Sequence, residues 1–232
     1  MQKQVRMPSY AAMLSAAFKA ITDVLSPEFR TVLWKAIGLS LLLFLGVLAT
    51  VEAAFWFLTF FPWPWVETIA AIGAGLGLLV LFFFLMAPVT ALFAGLYLDD
   101  VSAKVENKHY AKDSPGRPLP TLKALVVGLQ FGLLVLAINI LALPLVFTGF
   151  GAIILVVINA YLLSREYFEM AAMRHMEKQD AKDLRQQNGF QVFVAGLLPA
   201  VMALVPILNL LVPIFATSYF VHLFKRVQKS SV

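Results

Sequence analysis

Cysteine is absent from the 232-residue sequence, which excludes disulfides, thiolate nucleophiles and cysteine-bound metal ions. Charged residues are also scarce, at 13% of the chain, whereas apolar residues make up 61%. An ordinary soluble domain has an apolar share of about 45–50%. The composition therefore predicts an all-α integral membrane protein that forms a single polytopic domain over residues 1–232.

Histidine is the next scarce residue, with three copies at His109, His175 and His222. They are scattered along the sequence, and no spacing of carboxylates around them is typical of a metal site. The sequence contains no Ser-His-acid arrangement and no phosphate-binding loop. We therefore expect no enzyme, no metal and no cofactor. The basic loops are mixed with acids and match no nucleic-acid-binding module, so we expect no nucleic-acid partner.

Residues 9–25 are predicted to form an amphipathic helix that lies along the membrane surface or packs under the other helices. The polar side, with Lys19 and Asp23, lies opposite the apolar stripe. This stripe contains Tyr10, Leu14, Ala17, Phe18, Ile21, Val24 and Leu25. Residues 1–6 are polar and are not followed by a short apolar core with a cleavage site, so we do not expect a cleaved signal peptide.

Three apolar hairpins follow the amphipathic helix, at residues 30–98, 121–163 and 189–226, with a helical extension at 164–188. All 18 Lys and Arg residues fall in the head of the chain, the two long loops and the tail, and the three turns between the hairpin arms contain none. Because basic residues mark the cytoplasmic side, both termini and both long loops are predicted to be cytoplasmic. In the first hairpin, Gly73 and Gly77 have the spacing of a close helix–helix contact.

The last apolar block, residues 190–224, folds back at a turn that contains Pro206, Asn209 and Pro213. Each arm has about 15–18 residues and reaches roughly 22–27 Å as a helix, whereas a bilayer core is about 30 Å thick. Two interpretations remain open. Either two short spans are joined by a tight outer loop, or a re-entrant hairpin has its apex inside the bilayer, shielded by protein or water.

Four polar residues interrupt the apolar segments and are candidates for an ion path or for buried polar contacts: Glu52, Asn139, Asn159 and Asn209. An ionisable group in a membrane segment is a functional candidate by default. The alternative for Glu52 is a carboxylate near the outer interface. The asparagines are more often interhelical hydrogen-bonding groups or, for Asn209, a turn residue.

Several short motifs occur in a fixed order along the chain. They are Pro27-x-x-Arg30, Ala87-Pro88, Pro144 before a glycine-rich turn, Glu166-Tyr167-Phe168, and Pro206-Ile-Leu-Asn-Leu210 with Pro213. In this order, residues 10–227 resemble the CysZ family of bacterial sulfate permeases, which is distantly related to a eukaryotic endoplasmic-reticulum membrane family. The resemblance implies two long transmembrane helices and two hemi-penetrating hairpins, assembled as a homo-oligomer around an anion path.

The resemblance also implies a function, namely passive transport of sulfate or a related oxyanion across the bacterial inner membrane for sulfur assimilation. Many members carry a glycine and a pair of arginines near the sulfate site. Here Glu28 stands at the glycine position and Thr31 replaces the second arginine, so only Arg30 carries over. We assign Phe29, Arg30 and Thr31 to the candidate anion site.

Arg30 follows Pro27 in the first turn of a predicted helix, where free N–H groups and the helix dipole favour an anion. The alternative is an interfacial arginine that binds lipid phosphate. The alternative for the whole protein is a non-transport membrane protein, an assembly or membrane-organising factor that shares only the fold.

Overall fold

The computed structural model describes residues 10–57, 62–118, 120–146, 148–209 and 211–230. Within these ranges the regular secondary structure is entirely helical, which confirms the all-α prediction. The helices are α1 (Tyr10–Leu25), α2 (Pro27–Phe57), α3 (Pro64–His109), α4 (Thr121–Val146), α5 (Gly151–Met173), α6 (Lys178–Gln187), α7 (Gly189–Ala203), α8 (Pro206–Asn209) and α9 (Val212–Ser230).

Proline opens two of the long helices. Pro27 begins α2 and Pro64 begins α3, where the missing N–H costs nothing because the first turn has no intrahelical acceptor for it. The hydroxyl of Ser26 donates to the carbonyl of Asp23 at 2.8 Å, so this serine closes α1 immediately before α2 starts.

Helix α3 is longer than the sequence predicts. Its 46 residues correspond to about 69 Å, and the helix runs past the predicted end of the first hairpin at Leu98 as far as His109. Val101 and Val105 lie four residues apart and are both buried. They continue the inner face of the helix, so what was predicted as the start of a polar loop is a packed helical end.

Helix α9 lies at the centre of the packing. It contacts α1, α3 and α5, and its buried aromatic residues include Phe215, Phe220 and Phe224. Helix α7, the other arm of the third predicted hairpin, packs mainly along α5. The two arms joined by α8 therefore find their principal neighbours on other helices.

The contact between α5 and α7 is closest at Gly196. A Cβ atom there would lie 2.3 Å from the carbonyl oxygen of Ala160 and 2.6 Å from Cβ of Ser164, so only glycine allows this approach. At Gly73 and Gly77, by contrast, no described atom lies within 4 Å of the position of a Cβ. The predicted close packing at these two glycines is thus wrong for the described part of the chain.

Helix α1 buries only part of its predicted apolar stripe, namely Ala17 and Val24. Ala16, Ala20 and Asp23 are completely buried, because small residues let α1 approach α9 closely. The bulkier residues Leu14 and Phe18 are 63% and 69% exposed. Asp23 was predicted on the polar side, and its burial is a correction to that prediction.

In the ranges that the structure describes, no helix combines the length with the hydropathy that a bilayer crossing requires.

Candidate functional site

The start of α2 carries the predicted anion site, and two lysines from α3 lie beside it. The side chain of Phe29 is completely buried, whereas those of Arg30 and Thr31 are exposed. The Nζ atoms of Lys104 and Lys108 lie 5.8 and 5.9 Å from the centre of the Phe29 ring. Lys104 Nζ also donates to the backbone carbonyl of Glu28 at 2.9 Å. Sequence reasoning missed both lysines, because α3 meets α2 only through tertiary packing.

Lys108 offsets the carboxylate that departs from the family pattern. Its Nζ lies 3.5 Å from Oε2 of Glu28 and 3.3 Å from Oδ1 of Asp23. Glu28 and Lys108 are both exposed to solvent, so the pair between them is worth little in folding energy. The pairing nevertheless supplies a positive charge beside Glu28, which reduces its repulsion of an anion at the positive end of the α2 dipole.

Behind this site, Asp23 is the centre of a buried polar cluster. Its Oδ1 lies 2.8 Å from Nε2 of His109, and its Oδ2 lies 3.1 Å from Nε2 of His222. The hydroxyl of Ser218 donates to Oδ2 at 2.8 Å. The hydroxyl oxygen of Tyr110 lies 2.8 Å from the other ring nitrogen, Nδ1, of His222. The cluster ties together α1, the end of α3 and α9.

The electrostatics of this cluster keep Asp23 ionised. Burial alone would raise the pKa of Asp23, but the hydrogen bonds from His222, His109 and Ser218 outweigh burial and hold that pKa well below its usual range. Burial raises the pKa of Tyr110 to about 12, so its hydroxyl stays protonated at neutral pH.

The fold brings together His109 and His222, which are far apart in the sequence: their ring centres lie 4.8 Å apart. No spacing in the sequence could reveal this pair, because the two residues belong to different helices. The one available signal was Asp23, an acid placed among apolar residues of a short helix.

A second buried network fixes the loop after α3. Nη2 of Arg174 donates to Oε2 of Glu106 at 3.1 Å, and Nη1 of Arg174 pairs with Asp99. Nε2 of His175 lies 2.8 Å from Oε1 of Glu106. Burial alone would raise the pKa of Glu106, but the hydrogen bonds from His175 and Arg174 lower it to about 2. The Gly116 N–H also donates to Glu106, at 3.1 Å, and a Cβ on Gly116 would lie 2.8 Å from Nε of Arg174.

A cavity of about 230 Å³ lies between α4 and the C-terminal half of α5. Its polar lining includes Gln130, Arg165, Glu166, Glu169 and Lys178. Burial, reinforced by the neighbouring charge of Glu169, raises the pKa of Glu166 to about 7.

A more open cavity of about 650 Å³ lies beside the second network. Its lining includes Ser114, Arg117, Arg174, His175 and Asp180.

The structure does not gather the predicted polar residues into one place. Glu52 is exposed, while Asn159 and Asn209 are half-buried. Asn139 lies on α4, and its side chain is outside the described residues. Neither of the two cavities is lined by Arg30 or by any of these four residues as far as the described residues go.

The predicted turn residues lie at the two ends of α8 and in the first turn of α9. Pro206 begins α8, and the Asn209 N–H donates to the carbonyl of Val205 at 2.8 Å. Pro213 is the second residue of α9, and its carbonyl accepts the hydroxyl of Thr217 at 2.6 Å. All three predicted turn residues therefore belong to helix termini.

Comparison with known proteins identifies a family for most of the chain. The family model described as sulfate transporter CysZ/etoposide-induced protein 2.4 matches residues 16–213. No curated protein matches the sequence significantly.

Proposed function

The chain belongs to the sulfate transporter CysZ/etoposide-induced protein 2.4 family, and from this premise we propose that it is a passive membrane permease for sulfate or a related oxyanion. The family is of the transporter type, and its description supports membrane association. In a bacterial cell the proposed place is the inner membrane, and the proposed role is to supply sulfate for assimilation.

We choose an oxyanion as the substrate because of one observation, the arrangement of charges at the start of α2. Arg30 projects from the first turn as an exposed cation, and no described carboxylate forms an ion pair with it. Lys104 and Lys108 lie next to the same turn and offset Glu28. Helix dipole, guanidinium fork and ammonium groups all favour a tetrahedral oxyanion over a cation.

The exposed apolar surface supports the proposed membrane location. Large apolar side chains that are at least 50% exposed occur on α2, α3, α4 and α5. They include Leu42, Leu45, Trp63, Trp65, Ile69, Ile72, Leu76, Leu133, Leu141, Ile153 and Tyr161. Trp65, Ile69, Ile72 and Leu76 have the spacing of one face of α3, and a soluble monomer rarely exposes such a row of large apolar side chains. Lipid, together with other subunits of a homo-oligomer, is the proposed cover for these faces.

Reporter fusions test the proposed topology, in which three hairpins rise from the cytoplasmic side. Because the basic residues cluster in the loops and tails, fusions placed after Lys112, Lys182 and Val232 are all expected to report the cytoplasm. A periplasmic signal at any of these positions would contradict the three-hairpin plan. The same proposal allows two arrangements for the two shorter hairpins, a full crossing of the bilayer or re-entry on the cytoplasmic side.

A second candidate function is favoured by the dispersal of the polar residues. Transport requires Arg30 and other polar groups to line one path, and Arg30 lines neither of the two cavities described above. In the proposed permease the path is completed between subunits of an oligomer. A membrane-organising or assembly factor, in which Arg30 binds lipid phosphate, needs no such path.

Sulfate binding to the purified protein distinguishes the two functions. The loss of charge-assisted hydrogen bonds in Arg30→Ala costs about 1.5–3 kcal/mol, so sulfate affinity is expected to fall about 10- to 100-fold. Arg117→Ala is the matched control, because Arg117 is exposed on the loop after α3 and lines the cavity beside Arg174, to which no described residue of α2 contributes. Equal binding by wild type and Arg30→Ala would make Arg30 a lipid contact and favour the second function.

A further inference from the structure

We infer that Asp23, His109 and His222 form a binding site for a divalent transition-metal ion, with Zn²⁺ as the best match. Each of these three residues offers one ligand atom, and the three atoms lie within 4.8 Å of one another. Two imidazole nitrogens and one carboxylate oxygen are a donor set typical of zinc and of other late first-row ions. The site goes beyond the proposed transport function and does not depend on it.

The geometry requires only a small rearrangement to hold an ion. Nε2 of His109 and Nε2 of His222 both point at the same carboxylate, at 2.8 and 3.1 Å. Zinc–nitrogen and zinc–oxygen bonds of about 2.0–2.2 Å place tetrahedral ligand atoms about 3.4 Å apart. The contacts to the carboxylate must therefore lengthen slightly, while ligand atoms that now lie up to 4.8 Å apart must move closer. The three side chains come from three helices, so an ion here would join α1, α3 and α9.

The surrounding hydroxyl groups suit a metal-bound state. When Nε2 of His222 gives its lone pair to an ion, Nδ1 carries the proton and can donate it to the hydroxyl oxygen of Tyr110, 2.8 Å away. An outer hydrogen bond of this kind orients the imidazole of a metal ligand. The hydroxyl of Ser218 holds the second carboxylate oxygen of Asp23 at 2.8 Å.

Lys108, the lysine paired with the carboxylate of Asp23, has another acceptor available. Lys108 Nζ lies 3.3 Å from Asp23 and 3.5 Å from Glu28, so it can keep an ion pair with Glu28 when a metal ion takes Asp23. The side chains of Asp23 and His222 are fully buried, whereas that of His109 is 22% exposed. An ion would therefore enter from the His109 side.

Calorimetric titration of the metal-stripped, full-length protein in detergent with ZnCl₂ tests the site. We expect one saturable ion per chain, and an affinity at least about 10-fold lower in His109→Gln, since the loss of an outer partner alone already costs that much. His175→Gln is the matched control. His175 also lies 2.8 Å from a buried carboxylate, that of Glu106, but the other oxygen of Glu106 is taken by Arg174. This control is expected to bind Zn²⁺ like the wild type.

A second measurement separates ligation from folding. Because His222 is fully buried, His222→Gln can unfold the protein, whereas the partly exposed His109 is the safer site for substitution. Co²⁺ in place of Zn²⁺ should give the visible absorption of a tetrahedral site in wild type and His175→Gln, and lose it in folded His109→Gln. No saturable binding by the wild type, or equal affinity in His109→Gln, would overturn the proposal and leave the cluster a hydrogen-bonded link between helices.

Discussion

Replacing Arg174 with methionine tests the buried network that fixes the loop after α3. The Arg174 side chain is 4% exposed and the Glu106 side chain is 6% exposed. Breaking a buried ion pair from one side costs about 3–5 kcal/mol, because it leaves a charge without its partner. His175 and the Gly116 N–H still bond to Glu106 in the variant. We therefore expect the lower end of that range, about 3 kcal/mol of unfolding free energy at pH 7.

Thermal unfolding followed by tryptophan fluorescence measures this loss. For a chain of this size, 3 kcal/mol corresponds to a decrease in Tm of about 6–12 °C. The double variant Arg174→Met/Glu106→Gln should recover part of the loss, and Arg117→Met, a change at an exposed arginine, should have little effect.

The pH dependence of the stability difference provides a test that can refute this reasoning. The pKa of Glu106 is lowered from 4.5 to about 2, so the stability that its ionised form contributes is complete above pH 4.5 and is lost as the pH falls towards 2. The difference between wild type and Arg174→Met is thus expected to shrink over that interval. A loss below about 1 kcal/mol at pH 7, or a loss that does not change with pH, would refute the reasoning.

Four further variants test other parts of the structure. Burial raises the pKa of Glu166 from 4.5 to about 7, so the wild type loses stability as the pH rises from about 4.5 to about 7. Glu166→Gln should therefore be more stable than the wild type at pH 8, by about 3 kcal/mol, and equal to it at pH 4 in thermal unfolding. Gly196→Ala should lose about 1–3 kcal/mol by the same assay, because its Cβ meets the carbonyl oxygen of Ala160 at 2.3 Å, whereas Gly73→Ala should be neutral or slightly stabilising. Asn209→Cys, in a chain without native cysteine, should resist a membrane-impermeant thiol reagent if the third hairpin is re-entrant; rapid modification from outside would contradict that arrangement.

Local signals in the sequence located most of the helices. Proline followed by an acid marks the start of α2, whereas the start of α3 at Pro64 was not predicted from the sequence. The end of α3 was misplaced because the change from apolar to charged residues at Asp99 indicates where a membrane segment ends. The helix itself continues for as long as Val101 and Val105 have a core to pack against.

The candidate sites were less accessible to sequence reasoning. Arg30 was identified from its place in a helix's first turn and from the family resemblance, but Lys104 and Lys108 come from α3, more than 70 residues away. His109 and His222 meet Asp23 only because α1 and the end of α3 both pack against α9. Pairings of this kind depend on tertiary contacts and leave no local pattern.

Sulfate flux into proteoliposomes tests the central claim, that this protein is a passive permease for an oxyanion. The account predicts uptake of labelled sulfate well above that of protein-free vesicles, driven by the sulfate gradient alone. Uptake should be reduced in Arg30→Ala and retained in Arg117→Ala, because the first change removes a cation at the start of α2 and the second does not. Uptake equal to that of protein-free vesicles, by correctly folded and oriented protein, would contradict the account.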